Sequence, residues 1–322
     1  MSCSRFRAQS RAQSRSHRVR TGLLAALLAT GLTAGAQAGT LHPDSDPLVP
    51  TGRGWGERPT HPGQASSSAY KSTGSNGILY HGGPLLNAAT GTNIYYIWYG
   101  NWTGNNAPTI LGDFITGLSG SPWYNINTSY GDAAGVKVTN RLTLAGSTTD
   151  NYSQGTKLSD SGVWTVVSKA IQSGRLPKDP KGVYFVLTSK DVNETSGFCT
   201  QYCGWHSSSN YTGTALAYAF VGNPDRCPSA CAAQTTSPNG NAGADAMASL
   251  IGHELSEAVT DPQFTGWYDT RGNENGDKCA WNFGTTYQTA NGSYANVRLG
   301  SRDFLLQQNW VNANGGACAL SY

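Results

Sequence analysis

The sequence predicts an α+β protein: a single mixed-sheet domain with backing helices and one late helix that carries the active-site residues. Three observations predict this class. Short apolar runs of strand length interleave with segments of helical periodicity between residues 93 and 221. The best helical segment, residues 245–260, follows the last of these strands and is stopped by Pro262. No repeat of about 20–50 residues is evident, which argues against solenoids and propellers.

Each element has its own warrant. Order is expected to begin near Ile78-Leu79-Tyr80. Residues 93–99 form an aromatic, β-branched run that reads as a buried strand. Residues 108–118 place Ile110, Leu111, Phe114, Ile115 and Leu118 on one helical face, behind a proline suited to a first turn. Residues 136–144 alternate like a strand, and residues 161–173 carry Val163, Val166, Val167, Ala170 and Ile171 at helical spacing. Residues 183–188 and 215–221 are apolar strands. Residues 222–243, rich in Cys, Pro, Asn and Gly, read as a loop, and the chain beyond Pro262 is rich in turns.

The amino terminus is an export signal. Arg5, Arg7, Arg11, Arg15, Arg18 and Arg20 precede an apolar run, residues 23–32, that ends in Ala36-Gln37-Ala38. About ten apolar residues are too few to span a bilayer. The domain reading is therefore a signal peptide over 1–38, a flexible lead-in or pro-segment over 39–76, rich in Pro and Gly, and one domain over 77–322. The full chain has 22 basic and 19 acidic residues. Removing the six arginines of the signal leaves 16 basic groups against the same 19 acids, a net of −3. A nucleic-acid partner needs a basic stripe and is excluded. No other apolar stretch has membrane length, so no membrane partner is expected after the signal is removed.

Cys3 leaves with the signal, and the six remaining cysteines read as three disulfides in an oxidising compartment. Clustering pairs Cys279 with Cys318 as a long staple. Cys199, Cys203, Cys227 and Cys231 then form short bridges within or between the two C-x3-C pairs. Six N-x-S/T sequons, Asn127 among them, are expected in surface loops.

The late helix contains His253-Glu254-Leu255-Ser256-Glu257, an H-E-x-x-E pattern. At about 100° per residue His253 and Glu257 lie about 40° apart on one face. Ala248, Ile251, Leu255 and Ala258 form the opposing apolar stripe. Ligands on adjacent turns suit a metal ion, and Glu254, one step round, is placed to act as general base on a bound water. Glu replaces the second His of the H-E-x-x-H zinc-peptidase pattern.

The acids around this motif are not balanced. Between Asp245 and Asp277 there are seven acidic residues and a single base, Arg271. Solvated faces usually interleave lysine or arginine, and uncompensated carboxylates repel unless a cation joins them. The third ligand is expected from the loop after the helix. Glu274, 21 positions after His253, resembles the downstream Glu ligand of thermolysin-like peptidases, and Asp277 is the alternate third ligand or an orienting carboxylate. Asp261 lies about 6 Å further along the helix axis than Glu257 and suits an end-of-helix role. Zinc is the expected ion. Calcium is the alternative, through Asp269, Asn273, Asn275 and Asp277 around Gly276. His81 and His206 are read as structural or loop histidines.

Several segments together resemble the EXORDIUM family, also called the phosphate-induced proteins. They are Tyr80-His81-Gly82-Gly83-Pro84, Ile97-Trp98-Tyr99-Gly100, Phe198-Cys199 through Cys203-Gly204-Trp205-His206, Cys227-Pro228 through Cys231, and Pro238-Asn239-Gly240. The resemblance covers roughly residues 77–320 and implies an extracellular or cell-wall location and disulfides. The H-E-x-x-E helix marks the expected branch as one similar to zincin metallopeptidases, with a zincin-like core.

Two functions follow. The first is a secreted zinc-dependent hydrolase, a metallopeptidase, acting on a peptide or cell-wall polymer with Glu254 activating water. The alternative is a non-catalytic extracellular or cell-wall binding protein whose acids hold a structural zinc or calcium ion.

Overall fold

The computed structural model describes residues 77–270 and 272–322. The expected signal peptide and lead-in, residues 1–76, and Arg271 lie outside the described residues. In chain order the elements are β1 (Leu79–Tyr80), β2 (Thr92–Tyr99), α1 (Ala107–Leu118), β3 (Leu142–Asp150), β4 (Lys157–Leu158), α2 (Asp160–Gln172), β5 (Gly182–Thr188), β6 (Asn193–Glu194), β7 (Gly204–Tyr211), β8 (Thr214–Val221), α3 (Pro228–Cys231), α4 (Ala242–Thr260) and β9 (Trp267–Tyr268). Short hairpins follow, Val297–Leu299 with Arg302–Phe304 and Asn309–Val311 with Ala317–Ala319.

The fold is mixed α and β around one five-stranded sheet of order β3-β2-β5-β8-β7. The first four strands are parallel, and β7 runs antiparallel to β8 at the edge. The chain passes from β2 to β3 in one direction and from β3 to β5 in the other. Right-handed crossovers therefore put α1 and α2 on opposite faces. α1 packs with α4, while α2 packs on β5 and β8. With both faces covered, every residue of β5 is buried, as the continuous apolar runs imply. The faces of α1 and α2 are buried through the residues that the periodicity selects, Phe114 and Val166 among them.

Two strands depart from expectation. The strand expected over 136–144 lies at Leu142–Asp150 instead. It is the sheet edge, its residues alternate between partly buried and exposed, and its sequence is largely Thr, Ser and Gly, so apolar content does not mark it. β7, to which the sequence reading assigns no element, carries Ser207-Ser208-Ser209 at the opposite edge.

The disulfides are Cys199–Cys227, Cys203–Cys231 and Cys279–Cys318. The first two run between the C-x3-C pairs and tie the segment entering β7 to the short helix α3. One sequon does not lie at the surface: Asn127 is fully buried, with its amide directed at Ser256.

Candidate metal centre

The helix α4 begins at Asn241, whose side chain accepts a hydrogen bond from the Ala244 backbone N–H. It ends at Asp261, whose Oδ1 accepts from the backbone N–H groups of Thr265 and Gly266 at 2.7 and 2.6 Å. Asp261 thus shapes the turn after the helix. The apolar stripe of Ala248, Ile251, Leu255 and Ala258 is buried, and so is the acidic face opposite. His253 is 3% exposed, Glu254 1% and Glu257 0%, so this is not a solvated helix face.

The loop that follows is held on α4 by a buried amide network. Asn275 donates to Asn127 Oδ1 and to the Ser256 carbonyl, and the Asn309 amide donates to Ser256 Oγ. The Trp310 backbone N–H donates to the Asn275 carbonyl. Pinned at Asn275, the loop brings its two acids over the helix. The Asp277 backbone N–H donates to Glu257 Oε1 at 3.0 Å, and Asp277 Oδ1 lies 3.6 Å from His253 Nε2. Gly276 makes this approach possible, because a Cβ there would stand 2.9 Å from both Glu257 Oε1 and His253 Nδ1.

His253 Nε2 is 3.0 Å from Glu257 Oε1. The other oxygen of Glu257, Oε2, is 3.8 Å from Nε2 of His206, which projects from β7. His206 Nε2 also contacts Glu274 Oε2 at 3.0 Å. Glu274 therefore sits against His206, while Asp277 sits against His253. Gly204, at the start of β7, lies over Glu254: its Cβ would be 3.0 Å from Glu254 Oε1. Among the described residues two sets of donor atoms, each within 4.8 Å, emerge: His253, Glu254 and Glu257, and His206, Glu257 and Glu274.

His206 is the residue that sequence reasoning left out. Its signal was its place in the Cys203-Gly204-Trp205-His206 segment that carries the family resemblance, on a stretch whose serines disguise a strand. Of the oxygen donors around Gly276, Asp269 engages Lys278 at 3.2 Å, and the Asn275 amide donates to Asn127 and to the Ser256 carbonyl. His81 stacks on Tyr268 with ring centroids 3.5 Å apart.

Electrostatics make the cluster costly without a cation. Four carboxylates and two imidazoles share a volume in which only Asp277, at 13%, has appreciable exposure. Lys278, next in sequence, is occupied by Asp269 and by the Trp310 ring at 4.5 Å. Burial pushes Glu274 and Glu254 well above the usual carboxylate range, with neighbouring carboxylates adding to it. Burial, with Asp277 beside it, also raises Glu257. Burial alone would lower His253, but Glu257 and Asp277 outweigh it and hold the imidazole well above its ordinary value. His206 is pushed down to about 4 by burial. Glu254 Oε2, Glu257 Oε2, Glu274 Oε1 and Asp277 Oδ1 accept no hydrogen bond. A cation bound among these buried carboxylate oxygens would supply the partner they lack, and carboxylate and imidazole donors suit zinc.

A disulfide-stapled protein with a mixed sheet and a buried acid–histidine centre is the class these features define. The disulfides, and the absence among the described residues of any helix long and apolar enough to cross a membrane, fit an extracellular protein. The chain belongs to the phosphate-induced, EXORDIUM-like family: the phosphate-induced protein 1 conserved region matches residues 78–319. It is 32% identical to the Arabidopsis thaliana protein EXORDIUM-like 5 over 297 residues, 79% of this chain and 81% of that protein. It is 32% identical to EXORDIUM-like 3 from the same plant, covering 64% of this chain and 68% of that protein. EXORDIUM-like 2 is 28% identical over 72% of this chain and 86% of its own length. No solved structure matches.

Proposed function

We propose that this chain is a secreted zinc-dependent hydrolase, a metallopeptidase in its chemistry, acting on a peptide or cell-wall polymer. The ion is held by His253 and Glu257 on α4 and by Asp277 from the following loop. Bound there, zinc polarises a carbonyl and lowers the pKa of a water. Glu254 accepts the proton of that water and returns it to the leaving group.

The observation that carries this reading is the state of Glu254. It is 1% exposed, one of its oxygens accepts no hydrogen bond, and its carboxylate lies within 4.8 Å of donor atoms of His253 and Glu257 that could hold an ion. With His253, Glu257 and Asp277 as three ligands, a catalytic site keeps a water in the fourth position, and Glu254 is the acid left to take that water's proton. The order of sheet, backing helices and late helix supports the zincin-like expectation. Asp277, the most exposed member, marks the side from which solvent reaches the cluster.

The closure of the remaining ligands favours a second reading, a structural ion in a non-catalytic extracellular binding protein. Glu254→Gln separates the two. The hydrolase keeps its zinc and loses casein or peptide cleavage by at least about 100-fold. Wild-type protein that holds zinc and cleaves no peptide or wall polymer would establish the structural reading.

A further inference from the structure

The geometry points to a centre for two divalent cations bridged by Glu257. This rests on the reading that the acid–histidine cluster binds metal, and it adds a second position built on His206 and Glu274.

The two oxygens of Glu257 face different imidazoles. Oε1 is 3.0 Å from His253 Nε2, and Oε2 is 3.8 Å from His206 Nε2. Each imidazole has its own further carboxylate, Asp277 Oδ1 at 3.6 Å from His253 and Glu274 Oε2 at 3.0 Å from His206. Ligands around a tetrahedral zinc at about 2.0–2.1 Å stand about 3.3–3.4 Å from one another. The four separations, from 3.0 to 3.8 Å, bracket that value on both sides of Glu257. The two triads of donors share Glu257 alone. A carboxylate bridging in this way holds two ions about 3.5–4 Å apart.

Charge argues in the same direction. Glu254, Glu257, Glu274 and Asp277 bring four negative charges into the cluster, and a ligating histidine is neutral. One divalent ion leaves a charge of −2 on these four in a volume from which water is largely excluded, with buried Asp261 adding to the negative field at Glu274, and a second ion offsets most of it. The side chains of the second position are themselves unsatisfied: Glu257 Oε2 and Glu274 Oε1 are buried and accept no hydrogen bond.

Stoichiometry is the test. Protein stripped with a chelator is titrated with zinc and analysed for bound metal after gel filtration. Two zinc ions per chain are expected, falling to one in His206→Ala. One ion in the wild type, still one in His206→Ala, overturns the bridged centre and leaves the hydrolase reading standing. No bound zinc overturns both. Manganese-loaded wild type gives an answer that does not depend on the variant folding. A spin-coupled pair in its electron paramagnetic resonance spectrum supports the bridge, and signals from isolated ions alone refute it.

Discussion

Gly276→Ala is a steric test of the centre that changes no charge. Gly276 has φ −70° and ψ −47°, a right-handed conformation open to any residue. Alanine at such a position, with free space around its Cβ, stabilises by about 0.4–1 kcal/mol through the unfolded chain. Here the Cβ meets Glu257 Oε1 and His253 Nδ1 at 2.9 Å and His253 Cε1 at 3.0 Å, closer than the atoms can tolerate. Relieving these contacts means moving two side chains that define the site, and overpacking of this kind costs about 1–3 kcal/mol. The sign of the effect is thereby reversed. In a domain of this size about 2–4 °C of melting temperature is lost per kcal/mol. The variant should melt about 2–12 °C lower and bind zinc about 10–100-fold more weakly, the range seen when supports of metal ligands are disturbed. Calorimetry and zinc competition with a chelating dye read both quantities. A melting temperature equal to or above wild type, with zinc affinity unchanged, would refute the geometry described here.

Gly112 supplies the opposite case: in the middle of α1 its Cβ would meet only Leu144 Cδ2, at 3.7 Å, so Gly112→Ala should raise stability by about 0.5–1 kcal/mol in denaturant unfolding. Replacing Cys279 and Cys318 with serine opens a bridge of sequence separation 39, for which chain entropy gives a loss of about 4 kcal/mol; zinc affinity should fall as well, because Cys279 follows Asp277 by two positions. The pH dependence should differ in sign between metal-free and loaded protein. Metal-free, the raised Glu254, Glu257, Glu274 and His253 bind more protons folded than unfolded, so stability falls as pH rises from about 4.5 through neutrality; His206, depressed to about 4, opposes this only between about 4 and 6.5. Loaded, the ligands are deprotonated and acid expels the ion. Chelated protein should therefore melt higher at about pH 5.5 than at about pH 8, and zinc-loaded protein the reverse, in paired calorimetric scans.

The elements that bury a continuous or periodic apolar face were legible in the sequence: β2, β5 and β8, and the stripes of α1, α2 and α4. Of the two edge strands one was misplaced and the other left unassigned, because an edge strand has less to bury. β3 was displaced toward the apolar residues before it, and β7 was lost among serines. His206 was lost with β7. The acids of α4 were legible as a cluster, but their burial was not, since it depends on β7 and on segments after Pro262 that have no periodicity. The choice between Glu274 and Asp277 needed the loop geometry that Asn275 imposes, which places one acid against each histidine. The staple Cys279–Cys318 followed from clustering, whereas pairing across the two C-x3-C motifs depends on the placement of α3.

The most direct measurement is anomalous X-ray diffraction at the zinc edge from crystals grown with zinc. The account predicts a peak about 2.0–2.2 Å from His253 Nε2 and from a Glu257 carboxylate oxygen, with Asp277 as a further ligand. Ordered density for these side chains with no anomalous peak among them, the carboxylates instead paired by shared protons, would contradict it.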